Sequence, residues 1–197
     1  MPLLLSEMFE FAAPPRTGVH WVVRACREAG LMLFPNNGSV AASLLPWPEQ
    51  ADTSSKGMLR VSLVRHPCDW LRSVYDIYRL ALYLGNPELT SLVQKLVIRS
   101  GCDFDQFVSD YLETKPGEIS RIFNSYKADS RMRLEDMPWA LVELLESFGV
   151  KQKSLDRVMA LPPQEKTLIL NRSKWHPDLR QRVLDAEVKL CQDLDYY

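Results

Sequence analysis

Apolar residues recur along the chain with two different periods, and the alternation between those periods lays out the elements. Met8, Phe9 and Phe11 form a short apolar stretch that stops at Pro14 and Pro15, which predicts a buried strand running into a turn. Val19, Val22, Val23 and Cys26 then repeat at helical spacing, with Gly30 where a C-terminal cap belongs, so a helix follows the turn. Leu31 to Phe34 reads as a short second strand. After it come a turn at Asn36 to Gly38 and a Pro- and Ser-rich surface passage through Lys56. Leu59, Val61, Leu63 and Val64 predict another strand, which ends at Arg65 and is broken by Pro67.

Asp69 is placed to cap the next helix, whose buried stripe is Leu71, Val74, Tyr75 and Tyr78. Phe104, Phe107, Val108, Tyr111 and Leu112 mark a further amphipathic helix, and Leu141, Leu144, Leu145 and Phe148 one more, ended by Gly149. Arg131 to Leu134 reads as a strand. His176, Pro177 and Asp178 open a C-terminal helix with Leu179, Val183, Ala186, Leu190 and Leu194 inward. Strands alternating with amphipathic helices predict an α/β fold, in three layers, with a mainly parallel central sheet flanked by helices. Ligands in such folds sit beyond the carboxyl ends of the strands.

Composition adds bounds to this pattern. The length of 197 residues suits a single domain over 1–197, and 46% hydrophobic with 25% charged residues is ordinary for a globular chain. With 24 basic and 25 acidic residues, net charge −1, no global field recruits nucleic acid or an anionic membrane, so any anion site must be local. Cys26, Cys68, Cys102 and Cys191 form no C-x-x-C pair, which suggests free thiols in a reducing compartment, with no zinc site and no metal. The apolar start Met1 to Leu5 lacks a basic flank and is cut short by Ser6 and Glu7, too brief for a signal peptide. With no apolar run of membrane-spanning length, the expected location is cytoplasmic.

Two loops carry the chemistry. Pro15-Arg16-Thr17-Gly18-Val19-His20-Trp21 joins a predicted strand to a predicted helix, so unpaired helix N–H groups face whatever fills the turn. Gly18 permits close backbone approach to a phosphate, Thr17 offers a hydroxyl, and Arg16 adds a full positive charge. The G-x-x-x-x-G-K-[ST] pattern that holds Mg²⁺ and ATP phosphates is absent. The second loop, Arg65-His66-Pro67-Cys68-Asp69-Trp70-Leu71-Arg72-Ser73-Val74-Tyr75, sets an arginine at a strand end and a serine two helical turns later, a pair suited to a second phosphate.

These segments together resemble the sulfotransferases that use 3'-phosphoadenosine-5'-phosphosulfate (PAPS), whose first loop is like P-K-S-G-T-T-W and whose later segment is like R-N-P-x-D-x-x-x-S-x-Y. Pro15, Gly18 and Trp21 match the first pattern, Arg16 and Thr17 are conservative replacements, and Val19 and His20 depart from it. Arg65, Pro67, Asp69, Ser73 and Tyr75 match the second, with His66 in place of asparagine. Leu134-Glu135-Asp136-Met137 before a Leu-rich helix resembles the family's later E-D-L turn.

The resemblance implies a P-loop-like sulfotransferase architecture and transfer of a sulfuryl group from PAPS to a hydroxyl or amine, releasing PAP. It assigns the 5'-phosphosulfate to Arg16, Thr17, Gly18, Val19 and His20, and the 3'-phosphate to Arg65 and Ser73, while Trp21 counts with the cofactor-binding loop as a packing residue. Arg172 and Lys174 lie in a late loop whose basic residues reach the nucleotide in some members. Arg16 is the leading catalytic residue, stabilising charge on the leaving phosphate. Cytosolic relatives carry a basic histidine between the two loops, but Ser43 to Gly57 holds only Glu49 and Asp52 as acids. His20 is therefore either the general base or a phosphate donor. Asn36 to Ser55 and Leu80 to Ser125 are the candidate acceptor-binding segments, and the acceptor is a carbohydrate, a lipid or another small molecule. Two alternatives remain: a non-catalytic PAP-binding or regulatory protein, and a nucleotide kinase with a degenerate phosphate loop.

Overall fold

The structure, a computed structural model, describes residues 3–5, 9–14, 16–31, 34–35, 58–83, 103–162 and 173–196. The chain divides into two compact units, Met1–Arg65 with Ser125–Glu165 and His66–Asn124 with Lys166–Tyr197.

The first unit is built on a five-stranded sheet in the order β3-β1-β2-β4-β5, where β1 is Leu3–Leu5, β2 Phe9–Ala12, β3 Phe34–Pro35, β4 Leu59–Val64 and β5 Ser130–Arg133. The strands β2, β4 and β5 are parallel and adjacent, and β1 pairs antiparallel with both β2 and β3. The fold is thus α/β around a three-stranded parallel core, with eight α-helices among the described residues. Leu3–Leu5, from the apolar start of the chain, is an inner strand of this sheet, paired on both sides.

One face of the sheet carries Phe9, Phe11, Val61, Leu63 and Met132, all in the hydrophobic core with α1 (Val19–Glu28) and the later helices described below. The other face carries Glu10, Arg60 and Ser62, between Ala12 and Val64, and it is buried as well. Burial on both faces is usual for parallel strands, but here one face is polar. Glu10 and Arg60 are register partners across β2 and β4 and form a two-pronged ion pair, with Nε to Oε2 and Nη2 to Oε1 both 3.2 Å. The third guanidinium nitrogen, Nη1, donates to the Lys127 carbonyl at 3.4 Å, and the Arg60 backbone N–H donates to the Asp129 carboxylate at 2.8 Å. The Ser62 hydroxyl is buried with no hydrogen-bond partner among the described residues.

The helix α1 ends in two nested bonds, Gly30 N–H to the Arg27 carbonyl at 2.9 Å and Leu31 N–H to the Cys26 carbonyl at 2.8 Å, with Gly30 at φ 85°. This left-handed glycine cap is the stop predicted at Gly30. It also engages Leu31, and of the strand expected over Leu31 to Phe34 the described part is β3, Phe34–Pro35. Further helices of this unit are α5 (Trp139–Ser147) and α6 (Gln152–Met159), which pack against each other and carry Leu141, Leu145, Leu155 and Val158 into the core. Gly149, at φ 77°, stops α5 as expected.

The second unit is helical: α2 (Pro67–Tyr83), α3 (Phe104–Thr114), α4 (Glu118–Ser125, whose last residue belongs to the first unit), α7 (Pro177–Ala186) and α8 (Val188–Asp193). Along α2, Trp70, Leu71, Val74, Tyr75 and Tyr78 are buried. Tyr75 packs its ring on Phe104 and Phe107 of α3 at 5.2 and 5.1 Å, so these aromatics are core. The α3 start is capped by Asp103, whose carboxylate accepts the Gln106 N–H at 2.9 Å.

The C-terminal helix expected to run unbroken past Ala186 is interrupted at Glu187, which is fully buried. Its carboxylate accepts from the Ile119 N–H at 3.2 Å and the Ser120 N–H at 2.8 Å, and from the hydroxyls of Tyr111 and Ser120. A buried carboxylate thus caps the start of α4 from a distant part of the chain, satisfying helix N–H groups and favoured by the helix dipole. Burial first, and then the neighbouring Glu187 charge, push the Tyr111 hydroxyl pKa up, so it stays a donor. No described helix is long and apolar enough to cross a membrane.

Candidate functional site

The parallel strand β2 ends at Ala12 and the chain enters α1 at Val19, and the turn between them is held by contacts within the first unit. Arg16 has φ 66° and Gly18 has φ 84°, two left-handed residues flanking Thr17. For an arginine this conformation costs about 1 kcal/mol or more, and such strain persists only where surroundings enforce it. Three contacts do so. The Thr17 hydroxyl, fully buried, donates to the Pro14 carbonyl at 2.6 Å. The Arg65 guanidinium, at the end of β4, donates through Nη1 to the Arg16 carbonyl at 3.2 Å. Leu134 lies against Gly18 so closely that a Cβ on the glycine would stand 2.4 Å from Leu134 Cδ1.

Gly18 is also the first residue of the helical hydrogen-bond ladder, accepting from Trp21 N–H at 3.0 Å and Val22 N–H at 3.3 Å. The first N–H groups of a helix have no intrahelical acceptor and carry partial positive charge. The turn therefore places the start of a helix directly after the end of a parallel strand. Arg16 supplies a second positive element and the braced Arg65 a third.

The structure brings Arg16, Thr17, Gly18, Val19, His20, Trp21 and Arg65 into one neighbourhood, and it gives them different parts. The Thr17 hydroxyl, expected to donate to a ligand, spends its proton inside the turn on Pro14. Val19 is a core residue, leaving only its backbone to the turn. Trp21 is 6% exposed and its indole N–H donates to the Pro162 carbonyl at 3.1 Å, so its ring is structural and not a stacking face for a base. His20 is exposed in the first turn of α1.

The remaining predicted residues belong to the second unit or fall outside the description. Ser73 is buried on α2 and Lys174 is exposed in the extended segment before α7. Pro15 and Arg172 lie outside the described residues, as do the passage 36–57 and residues 84–102 of the expected acceptor segments.

The second loop differs from its reading at the helix start. The residue capping α2 is His66: its Nδ1 accepts the Cys68 N–H at 3.2 Å and its carbonyl accepts the Trp70 N–H at 2.9 Å. Asp69, expected as the cap, sits inside the first turn and pairs with Arg72 at 2.5 Å. Where the sulfotransferase pattern has asparagine, an unprotonated imidazole nitrogen thus supplies the same side-chain acceptor. Pro67 is the first helical residue, where its missing N–H costs nothing. Burial pushes the Cys68 thiol up to about 12, which leaves it protonated and without nucleophilic use at neutral pH.

A third segment meets the turn that sequence reading did not assign to it. Leu134 opens a short 3₁₀ turn, Leu134–Asp136, directly after β5, which corrects its expected place as the last residue of the strand. The turn is clamped by Arg133, whose guanidinium grips the Asp136 carboxylate with Nε to Oδ2 at 2.6 Å and Nη2 to Oδ1 at 2.8 Å. Among the described residues no group of three His, Cys, Asp or Glu side chains is placed to hold a metal ion. Comparisons of the chain with protein-family models, with curated proteins and with solved structures return no match.

Proposed function

We propose that the chain is a PAPS-dependent sulfotransferase of P-loop-like, three-layer architecture, and that its 5'-phosphosulfate binds at the Arg16–Gly18 turn. The observation that carries this reading is the braced turn itself. A strained left-handed arginine and a left-handed glycine join a parallel strand to a helix N-terminus, and the arginine at the neighbouring strand end is bonded to the same turn at 3.2 Å. That arrangement suits an anion. The choice of this anion rests on the sequence resemblance, above all on Arg65, Pro67, Asp69, Ser73 and Tyr75 at their fixed spacing.

In this reading the helix N–H groups and Arg16 hold the sulfuryl donor. As the bond from sulfur to the bridging oxygen breaks, negative charge grows on the phosphate of departing PAP. The Arg16 cation stabilises that charge more in the transition state than in the ground state. An arginine grips two oxygens and does not deprotonate, so its part is electrostatic. Arg65 and Ser73 take the 3'-phosphate, and His20 either accepts the acceptor's proton or donates to phosphate.

Thermal unfolding with PAP, ADP and ATP tests this, because a ligand that binds the native state raises its melting temperature. PAP gives much the largest shift if the reading holds. Equal shifts with PAP and ADP remove the assignment of Arg65 and Ser73 to a 3'-phosphate. Transfer of labelled sulfate from PAPS, or PAPS hydrolysis lost in Arg16→Ala, separates an enzyme from a PAP-binding protein.

A further inference from the structure

We infer that Leu134, carried on the clamped turn after β5, is a positioning residue for the anion-binding turn and acts through its contact with Gly18. This inference rests on the reading that the Arg16–Gly18 turn binds the nucleotide's phosphosulfate end, and it adds the part that sets the turn's shape.

The two other braces of the turn act on its earlier half. The Thr17 hydroxyl ties to Pro14, and Arg65 ties to the Arg16 carbonyl. The later half holds Gly18, the residue that directs the chain into α1 and begins its hydrogen-bond ladder. A glycine at φ 84° has the widest conformational freedom of any residue. On its own it would let the following N–H groups swing. Leu134 removes that freedom by packing: built on Gly18, a Cβ would meet Leu134 Cδ1 at 2.4 Å, Cδ2 at 3.3 Å and Cγ at 3.5 Å. The isobutyl group occupies the space a Cβ would take, so a side chain at this position displaces Leu134 in addition to being strained at its φ.

The wedge is itself held. Arg133 and Asp136 bracket Leu134 with two hydrogen bonds of 2.6 and 2.8 Å, and Met137 N–H closes the turn on the Leu134 carbonyl at 3.3 Å. Arg133 is in register with Val64 of β4, so the base of the wedge is tied to the strand that leads to Arg65. The carboxyl ends of all three parallel strands therefore converge on one turn: β2 leads into it, β4 braces its arginine, and β5 delivers the leucine against its glycine. Reaction chemistry needs donors fixed within a fraction of an ångström, and such fixing comes from the packing behind them.

The test uses the full chain with Leu134→Ala, Leu134→Met and Gly18→Ala, singly and with Leu134→Ala/Gly18→Ala combined. Amide hydrogen exchange over residues 17–21 is measured without ligand, and PAP affinity is measured by calorimetry. Leu134→Ala is expected to speed exchange at these amides and weaken PAP binding roughly tenfold, the scale of a lost supporting contact. Leu134→Met, which refills the space, restores both. Gly18→Ala alone clashes with Leu134, and removing the leucine relieves part of its destabilisation, so the two changes are less than additive in urea unfolding.

Unchanged exchange at residues 17–21 in Leu134→Ala, or strict additivity with Gly18→Ala, overturns the positioning role. If the wild-type protein binds no PAP, the functional reading falls, while exchange and the mutant cycle still decide the part played by Leu134.

Discussion

Glu10 and Arg60 offer the sharpest test of the physical account, because they place a full ion pair inside a parallel sheet. Their side chains are 1% and 10% exposed, and two 3.2 Å bonds join them. In Glu10→Ala the guanidinium keeps only the Lys127 carbonyl at 3.4 Å from this set of contacts, a long bond to a neutral acceptor. Breaking a buried pair by removing one partner costs about 3 to 5 kcal/mol, since a buried charge loses its ion partner. Total stability of a domain is typically about 5 to 15 kcal/mol, so the loss is a large share of it. At a urea slope of about 2 kcal/mol per molar, the midpoint falls by about 2 M. Replacing both partners, as in Glu10→Leu/Arg60→Met, removes the desolvation cost together with the attraction, and the double variant returns to within about 1 kcal/mol of wild type or exceeds it. Urea unfolding followed by tryptophan fluorescence reads all three. A Glu10→Ala midpoint within about 0.5 M of wild type, at that same slope, or a double variant no more stable than the single, would refute the reasoning.

Other expectations follow from the site and from the buried network. On the proposed function, Arg16→Ala lowers sulfuryl transfer by about two to three orders of magnitude, the usual loss for one preorganised donor, while urea unfolding stays near wild type, because alanine keeps the Cβ and with it the left-handed strain. Glu187→Ala removes the acceptor of two backbone N–H groups and two hydroxyls, and is expected to destabilise by at least about 3 kcal/mol. Hydrogen exchange should then rise first at Ile119 and Ser120. His66→Ala loses the α2 cap and about 1 kcal/mol, whereas His66→Asn retains the acceptor and the stability. Burial raises the thiols of Cys26 and Cys68 from 9.0 to about 12, and that of Cys191 to about 11. These groups bind protons more tightly folded than unfolded, so their contribution is intact below pH 9 and is lost as pH rises toward 11 to 12. In a Cys102→Ser variant, a thiol reagent at pH 8 should accordingly react only as fast as the protein opens.

Much of the chain's local structure is written in its residues. The period-two run Leu59, Val61, Leu63 is β4, the helical spacing from Val19 to Cys26 is α1, and Gly30 and Gly149 stop their helices where expected. Such features are legible because they depend on near neighbours: side-chain periodicity, a left-handed glycine, a proline without an N–H. The turn at Arg16 to Gly18 was legible for the same reason, as a glycine between a strand and a helix.

Tertiary structure decided what these local signals leave open. The charged Glu10 between two phenylalanines acquires meaning only from Arg60, 50 residues away in sequence. Glu187 looks like one more acidic residue in a helical pattern, yet it ends α7 because its carboxylate is drawn to Ile119, 68 residues earlier. His66 displaced Asp69 as the α2 cap because an imidazole nitrogen already faced the Cys68 N–H. Leu134 continued an apparent strand, and only the approach of β5 to β2 through β4 set it against Gly18. For Glu10, Glu187 and Leu134 the deciding energy comes from a desolvated charge, donor or methyl group finding a partner far along the chain, whereas the His66 cap is a contact between near neighbours that residue preference alone did not rank first. Residue type and spacing carry no record of that partner, so sequence alone determined the elements and their chemistry, and packing determined which groups met.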